Sequence, residues 1–366
     1  MSVTDAPAPT SARSRQQQVA RQFARDFLHI RKRVAAEGLL RRRYGYYALT
    51  ALGITLALAG LATAFVLIGD SWWQLLVAAG LGVVLTQAAF VGHDAAHMQI
   101  FNTGKRNEWA SLVVANLVVG LSYGWWDHKH SKHHDHPNKV GADPDIDMKA
   151  IAFTHEQAEQ ASPRWQAWYR HQGWLFFVLV CLEGLNLHYQ SFKGLFQPGR
   201  SQRRLLEAAL LVLRVGGLIA IVFWVLSPGL AAAFLGVQLA VFGFYMGCSF
   251  APNHKGMPIV PKDLSIDFFR RQVLMSRNIR GGWFTDFLFG GLNYQIEHHL
   301  FPAMPRASLR KVAPMIREYC ADKKVVYTEV SIRESFATLV AYLNRVGLGA
   351  RDPFDCPLAG QLRMGL

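Results

Sequence analysis

Charged residues are scarce in this chain. Only 17% of its 366 residues are Asp, Glu, Lys or Arg, whereas 51% are hydrophobic. A soluble domain of this size usually carries about a quarter charged residues. The shortfall makes an ordinary water-soluble domain a poor interpretation and indicates a protein that lies in lipid.

Cysteine is also sparse, and the four cysteines stand far apart. Cys181, Cys248, Cys320 and Cys356 form no C-x-x-C pair, so neither a zinc ribbon nor a disulfide framework is indicated. The first forty residues lack the apolar stretch of a signal peptide. Residues 1–18 are instead rich in Ala, Pro, Ser and Thr, a composition typical of a disordered segment.

Positive charge is in excess, with a formal net charge of +14. Such an excess indicates a nucleic acid, an anionic lipid or an acidic protein as partner. A nucleic-acid-binding protein would interleave aromatic residues with a basic patch on a soluble fold, and the sequence has no such pattern. We therefore expect membrane lipid, and no nucleic acid, as a partner.

Four segments are apolar and long enough to cross a bilayer, which needs about 20 residues. They are Tyr46–Gly69, Trp72–Val91, Ala208–Leu226 and Leu230–Phe250. The first pair is joined by Gly69–Ser71 and the second by Ser227–Gly229, and neither joint contains Lys or Arg. The pattern predicts two transmembrane hairpins with tight turns.

The opposite ends of both hairpins are basic. Arg31–Arg33 and Arg41–Arg43 precede the first span, and the basic segment Lys193–Arg204 precedes the third. The positive-inside rule therefore predicts cytoplasmic termini and a cytoplasmic region between the hairpins. Two shorter apolar stretches, Ala110–Leu121 and Trp174–Leu187, are predicted to be interfacial, because one further span would place the basic segment outside.

The predicted fold is all-α and membrane-integral, with four transmembrane helices as two hairpins and a cytoplasmic helical cap. Residues 1–45 are assigned to a basic cytoplasmic segment, residues 46–305 to the membrane domain, and residues 306–366 to a helical cytoplasmic segment. Within the last, Val330–Val346 has apolar residues at helical spacing, which predicts an amphipathic helix.

Histidine is concentrated at the cytoplasmic ends of the spans. The clusters are His93-x-x-x-His97, His130-x-x-His133-His134 and Gln295-x-x-His298-His299, with His254 just beyond the fourth span. Residues four apart share one face of a helix and can bind one metal. An adjacent residue is rotated by about 100° and can serve a second metal. Three clusters on one side of the membrane therefore predict a metal site in the cap.

The number of ligands indicates two metal ions. Zinc is satisfied by three or four ligands in tetrahedral geometry, so eight histidines and an amide are too many for one ion. Imidazole suits iron, copper, zinc and nickel. The count favours two ions of higher coordination number, and composition alone leaves iron and copper open.

The three clusters, in this order and around two hairpins, resemble the histidine boxes of the membrane fatty acid desaturase superfamily. The stretch Asn293–Pro302 looks like the third box of its front-end, linoleoyl-CoA-desaturase-like branch, in which Gln stands first. Carried over by position, the box ligands are His93, His97, His130, His133, His134, His298 and His299. His254 resembles an extra ligand of some members, and Gln295 is expected to bind metal directly or through water.

The resemblance also implies an activity and its partners. Two iron ions, dioxygen and two electrons would remove two hydrogens from a long-chain fatty acyl substrate linked to CoA or lipid. Many front-end members carry a fused haem-binding cytochrome domain with an H-P-G-G motif, which the printed sequence lacks. A separate donor, such as a ferredoxin or a flavoprotein reductase, is therefore expected. Asp94, Asp135 and Glu297 are expected to hydrogen-bond the ligand imidazoles.

Other functions remain open at this point. A fatty acyl or lipid hydroxylase or ketolase of the same superfamily would share the metal site, although Gln in the third box favours desaturation. A membrane haem protein would place axial histidines inside its spans, and a metal transporter would place ionisable ligands near the midplane; neither pattern is present. We expect an integral protein of a bacterial plasma membrane with a cytoplasmic active site.

Overall fold

The structure is a computed structural model that describes residues 22, 25, 27–197 and 203–349. The segment 1–18, predicted to be disordered, lies outside the described residues. Residues 27–36 are helical. The helices that follow are α1 (Tyr44–Ile68), α2 (Gln74–Ala96), α3 (Gly104–Ser111) with a π-helical continuation (Leu112–Val119), α4 (Tyr123–Asp135), α5 (His155–Glu159), α6 (Pro163–Tyr169), α7 (Gln172–Leu195), α8 (Arg204–Val225), α9 (Pro228–His254), α10 (Phe268–Leu274), α11 (Trp283–Leu288), α12 (Gln295–Leu300), α13 (Arg306–Asp322) and α14 (Ile332–Leu348). Strands β1 (Asn278–Ile279) and β2 (Glu329–Val330) pair in parallel.

Five of the described helices are long and apolar enough to cross a membrane: α1, α2, α7, α8 and α9. Each of the four predicted spans overlaps one of them and extends at most two residues beyond its ends, and α7 is the additional helix. The sequence favoured an interfacial stretch here because Trp174–Leu187 is short for a span and one further span would place the basic segment Lys193–Arg204 outside. The helix nevertheless continues over 24 residues, so the predicted number of four spans is not confirmed.

A sharp bend separates α3 and its π-helical continuation from α4. The helix direction changes by 114° at this point, so that the two arms together form a broken span or a re-entrant loop. Gly120 lies at the bend with φ +97°, a conformation that glycine adopts without the steric cost of a side chain. The predicted interfacial stretch Ala110–Leu121 is thus the arm that precedes the bend.

The turns of the two hairpins lie side by side. The backbone N–H and the hydroxyl of Ser227 both donate to Asp70 Oδ1, at 2.9 and 3.1 Å. Asp70 lies between α1 and α2, and Ser227 lies between α8 and α9. Because α2 rises by about 33 Å along its length, the turns lie a membrane thickness from the helix ends that carry the histidines.

Helices α7 and α9 approach each other closely through glycines. A Cβ atom added to Gly243 would lie 2.3 Å from the backbone N of Gly184, and one added to Gly184 would lie 2.2 Å from the carbonyl O of Leu239. Only hydrogen fits at these positions, as is common where small residues let membrane helices pack closely. The contact fixes α7 against the helix that ends in His254.

The segments outside the long apolar helices share one hydrophobic core. Apolar side chains from the N-terminal helical residues, α10, α12 and α13 are buried together: Ile30, Val34, Val273, Ile296, Val312 and Ile316. The core therefore joins residues from all three predicted segments, and the boundaries at 45/46 and 305/306 stay predictions. The predicted amphipathic helix corresponds to α14, whose Leu339 and Leu343 pack with Phe176 and Val180 of α7.

The close contact between α7 and α9 predicts that one added methyl group will destabilise the protein. Gly243→Ala should lower the free energy of unfolding by about 1–3 kcal/mol, because the methyl meets rigid backbone rather than a flexible side chain. Gly236→Ala is the matched control, since nothing lies within 4 Å of its added Cβ in the same helix. Thermal unfolding in detergent measures both; equal stability of the two variants would contradict the packing.

Candidate metal centre

Four helix ends bring all of the sequence-predicted site residues together. His93 lies in the last turn of α2, and His97 caps that helix by donating its backbone N–H to the carbonyl of His93 at 3.0 Å. The second cluster lies in the last two turns of α4, and His254 is the last residue of α9. Helix α12, every residue of which is buried, carries Gln295, His298 and His299.

One set of imidazoles forms a five-histidine group: His93, His97, His130, His134 and His298. One nitrogen from each ring lies within 4.8 Å of the corresponding nitrogens of the other four. The Nε2 atoms of His97 and His130 are 2.9 Å apart, and those of His130 and His134 are 3.0 Å apart. The rings therefore converge on one small volume.

The remaining imidazoles form a three-histidine group: His133, His254 and His299. The Nε2 atoms of His133 and His254 are 3.3 Å apart. Gln295, which is 2% exposed, places its Nε2 2.9 Å from His254 Nε2. The amide of the third box thus adjoins the smaller of the two groups.

Helix geometry explains how two helices serve both groups. His130 and His134 are four residues apart and share one face of α4, whereas His133 is rotated by about 100° and faces the other group. The adjacent residues His298 and His299 diverge in the same way from α12. This division agrees with the i, i+4 reasoning from the sequence.

The outer nitrogens of the three-histidine group are held by the surrounding protein. His133 Nδ1 lies 3.0 Å from Asp143 Oδ2. His254 Nδ1 lies 3.0 Å from the carbonyl of Met275, and His299 Nδ1 lies 2.9 Å from Gln272 Oε1. A proton on each Nδ1 satisfies these acceptors and leaves the lone pair of Nε2 pointing inward, as in metal sites generally.

The three carboxylates singled out in the sequence have different surroundings. Asp94 contacts His93 Nδ1 at 3.4 Å and accepts a hydrogen bond from Arg306 Nε at 2.5 Å. Glu297 accepts hydrogen bonds from Asn278 and Tyr327 instead of an imidazole, and burial raises its pKa to about 7. Asp135 is exposed to solvent.

Several functional neighbours were missed by reasoning from the sequence. Asp143 and Gln272 contact imidazoles of the three-histidine group, and the ring of Trp126 stacks on that of His130 with centroids 4.2 Å apart. None of them stands in a box or at a ligand spacing. Asp143 is only one of three aspartates in the stretch Asp143–Asp147, and the sequence gives no signal that selects it.

The inner nitrogens have the properties of metal ligands. Among the described residues, His93 Nε2, His299 Nε2 and both ring nitrogens of His298 are buried without a hydrogen-bond partner. Burial, followed by the neighbouring imidazoles, lowers the pKa of His298 and His299 well below the usual range. The rings are therefore neutral at physiological pH, which is the form that binds metal.

The contact between Asp143 and His133 predicts a loss of metal from the smaller group. Asp143→Asn removes the charged acceptor that orients the ring, which should weaken metal binding there by about 10–100-fold. Asp135→Asn is the matched control, because that carboxylate is exposed beside His134. Metal content per chain after gel filtration measures the effect, and equal content in the two variants would contradict it.

Comparison with known proteins agrees with this site. The family model described as fatty acid desaturase matches residues 70–331. The chain is similar to a Delta(8)-fatty-acid desaturase of Helianthus annuus, with 26% identity over 90% of this chain and 75% of the relative. It is also similar to an acyl-lipid (9-3)-desaturase of Physcomitrium patens, with 29% identity over 90% of this chain and 64% of the relative. A Delta(5) fatty acid desaturase of Caenorhabditis elegans is 30% identical over 84% of this chain and 70% of the relative.

The comparisons confirm the resemblance seen in the histidine boxes. The five long apolar helices and the family match together identify an integral membrane protein. The three relatives come from plants and a nematode, and they give no support to the predicted bacterial plasma membrane. The chain belongs to the membrane fatty acid desaturase family, in its front-end branch, and is an oxidoreductase of that family.

Proposed function

We propose that this protein introduces a double bond into a long acyl chain at a di-iron centre, using dioxygen and two electrons. The observation that carries the proposal is the division of eight imidazoles, five of them buried and three half-buried, into adjoining groups of five and three. The names of the relatives, which are all desaturases, favour desaturation over hydroxylation or ketone formation.

The donor set fits two ions of high coordination number. Five imidazoles exceed the four ligands of a tetrahedral zinc site. Two ligands about 2.1 Å from one ion and at right angles to each other are about 3 Å apart. The separations of 2.9 and 3.0 Å in the five-histidine group match this spacing. Imidazole suits both iron and copper, and membership of the desaturase family favours iron.

Each part of the site has a defined role in this proposal. Two bound irons would supply the activation of dioxygen, which takes two hydrogens from a methylene pair together with two electrons and two protons and leaves as two waters. The imidazoles hold the ions, and Asp143 and Gln272 orient His133 and His299 through their Nδ1 atoms. Gln295 lies beside the three-histidine group, where fewer protein ligands leave positions for water or dioxygen.

The reacting part of the acyl chain has a suitable place beside His93. A small cavity of about 40 Å³ is lined by this histidine and by mostly apolar side chains, among them Ala115, Met246 and Phe250. Apolar walls keep water from the reacting carbons and make contact with methylenes favourable. Trp126 lines the same cavity while stacking on His130, so the wall of the cavity is continuous with the five-histidine group.

The membrane orientation and the electron source also belong to the proposal. The basic ends of the spans favour a cytoplasmic metal centre, with the Asp70–Ser227 turns on the opposite side. Electrons are proposed to come from a separate donor protein such as a ferredoxin or a flavoprotein reductase. The long-chain acyl substrate is linked to CoA or to a membrane lipid.

Metal content and product formation test the function together. Purified protein should hold about two irons per chain, and His254→Ala should lose the iron of the three-histidine group, because two imidazoles are too few to retain it. Cells that produce the wild-type protein with a compatible reductase should gain a new acyl double bond, and cells with His254→Ala should not.

The matched control for this experiment is His171→Ala, since His171 is exposed and lies in neither histidine group. It should keep both irons and full activity. Fatty acids are analysed as methyl esters by gas chromatography and mass spectrometry. Stoichiometric zinc without iron after iron-replete expression, or a hydroxylated product without an alkene, would overturn the proposal.

Gln295 provides a separate test of the smaller group. Its Oε1 accepts a hydrogen bond from Asn253 at 3.3 Å while its Nε2 adjoins His254. Gln295→Leu should lower turnover by about tenfold or more, because the amide that holds a water or orients a ligand is lost. Iron content should change little. Near-normal turnover of Gln295→Leu at normal iron content would assign this residue a purely structural role.

A further inference from the structure

A second and much larger cavity lies apart from the metal centre. This cleft has a volume of about 650 Å³ and lies between the α1–α2 hairpin and the short helix α11. Gly53, Ala57 and Val83 contribute to its apolar wall, and Phe287 of α11 contributes an aromatic ring. Among the described residues, no member of the two histidine groups lines it. Small-molecule sites commonly have volumes of about 300–1,000 Å³.

The cleft also has a polar end. Arg306, Arg310, Asp286 and Tyr294 line it together with the apolar residues. Arg306 is 7% exposed, and its Nη2 is buried without a hydrogen-bond partner among the described residues. A buried guanidinium nitrogen without an acceptor is costly. One nitrogen of a residue that lines the cleft is therefore left without an acceptor.

The charges at the polar end are balanced. Arg306 pairs with Asp94 at 2.5 Å, and Arg310 pairs with Asp286 at 3.5 Å. A ligand with several negative charges would therefore find no excess of positive charge to neutralise it. A neutral or singly charged oxygen that accepts one or two hydrogen bonds suits this end better.

The position of the cleft indicates where such a ligand comes from. Helix α1 exposes its leucines, with Leu49 72% and Leu56 63% accessible, as expected of a surface that faces lipid. Helix α11 exposes Trp283 and Phe284 by 75% and 59%. Exposed aromatic rings at the end of a span are typical of the membrane–water interface. The cleft thus lies where the hydrocarbon of the bilayer meets its head groups.

We propose that the cleft binds an acyl lipid. The hydrocarbon chain lies along the apolar wall of α1 and α2, and an oxygen of the carboxyl-derived head accepts a hydrogen bond from Arg306 Nη2. A fatty acid carboxylate and a glycerolipid ester share this chemistry. The site is separate from the histidine groups and holds its ligand whether or not iron is bound, so it goes beyond the desaturase reaction.

Photolabelling of the full-length protein in detergent tests the proposal, with and without iron. The probes are palmitic acid carrying a mid-chain diazirine and a phosphatidylcholine that carries the same acyl chain. Either probe should label the peptides that contain Ala57 and Val83. Labelling by the fatty acid alone identifies a free carboxylate as the head, and labelling by the phospholipid alone identifies an ester.

The decisive variant fills the cleft from α1. A Cβ added to Gly53 meets nothing within 4 Å, so Gly53→Leu should fold and occupy the space of the acyl chain, lowering labelling by about tenfold. Gly60→Leu is the matched control: its added Cβ is equally free, and Gly60 does not line the cleft. Labelling of this control should equal that of the wild type.

Arg306→Lys tests the polar end. Lysine keeps a cation for Asp94 but lacks the second nitrogen of the guanidinium fork, so labelling should fall by about tenfold through loss of a charge-assisted hydrogen bond. Where this variant fails to fold, Gly53→Leu decides. Undiminished labelling of Gly53→Leu, or no labelling of these peptides by either probe, would overturn the site while leaving the desaturase activity untouched.

Discussion

The structure depends on the convergence of eight imidazoles, five of them buried and three half-buried, at a few helix ends. Their Nε2 atoms approach to 2.9–3.3 Å, and several have no protein partner among the described residues. Buried polar nitrogens without a partner are costly, so this arrangement is stable only when metal ions occupy the centre or when the surrounding protein holds the rings in place. The Nδ1 contacts to Asp143, Met275 and Gln272 hold three of the rings in place.

Because of these Nδ1 contacts, the site includes residues from segments that contain no histidine box. Asp143 follows α4, whereas Gln272 and Met275 lie in or just after α10, far from any histidine box. Gln272 also donates its Nε2 to the carbonyl of His134 at 2.8 Å. One amide therefore orients an imidazole of the three-histidine group and also supports the end of α4, which contributes histidines to both groups. Orientation of the rings is a property of the folded cap rather than of the boxes themselves.

Spacing in the sequence predicted which histidines converge, because helical periodicity is local. The pairs His93/His97 and His130/His134 lie on shared faces whatever the rest of the chain does. The contacts of Asp143, Gln272 and Arg306 depend on how distant segments meet, and no spacing records that. Helix α7 extends beyond the apolar stretch Trp174–Leu187 for a similar reason: Gly184 of α7 and Gly243 of α9 pack closely together, and no spacing records a contact between distant segments.

The ion pair between Arg306 and Asp94 joins the start of α13 to the end of α2, which carries His93. Arg306 begins α13, and its backbone N–H donates to Gln99 at 3.0 Å while its side chain binds Asp94, the neighbour of His93. Breaking a buried pair by removing one partner typically costs about 3–5 kcal/mol, because the other charge stays buried alone. The start of α13 is thus fixed to the end of α2. Since α13 also packs in the core that contains Ile30 and Ile296, this core and the Arg306–Asp94 pair together hold the end of α2 that carries His93 in place.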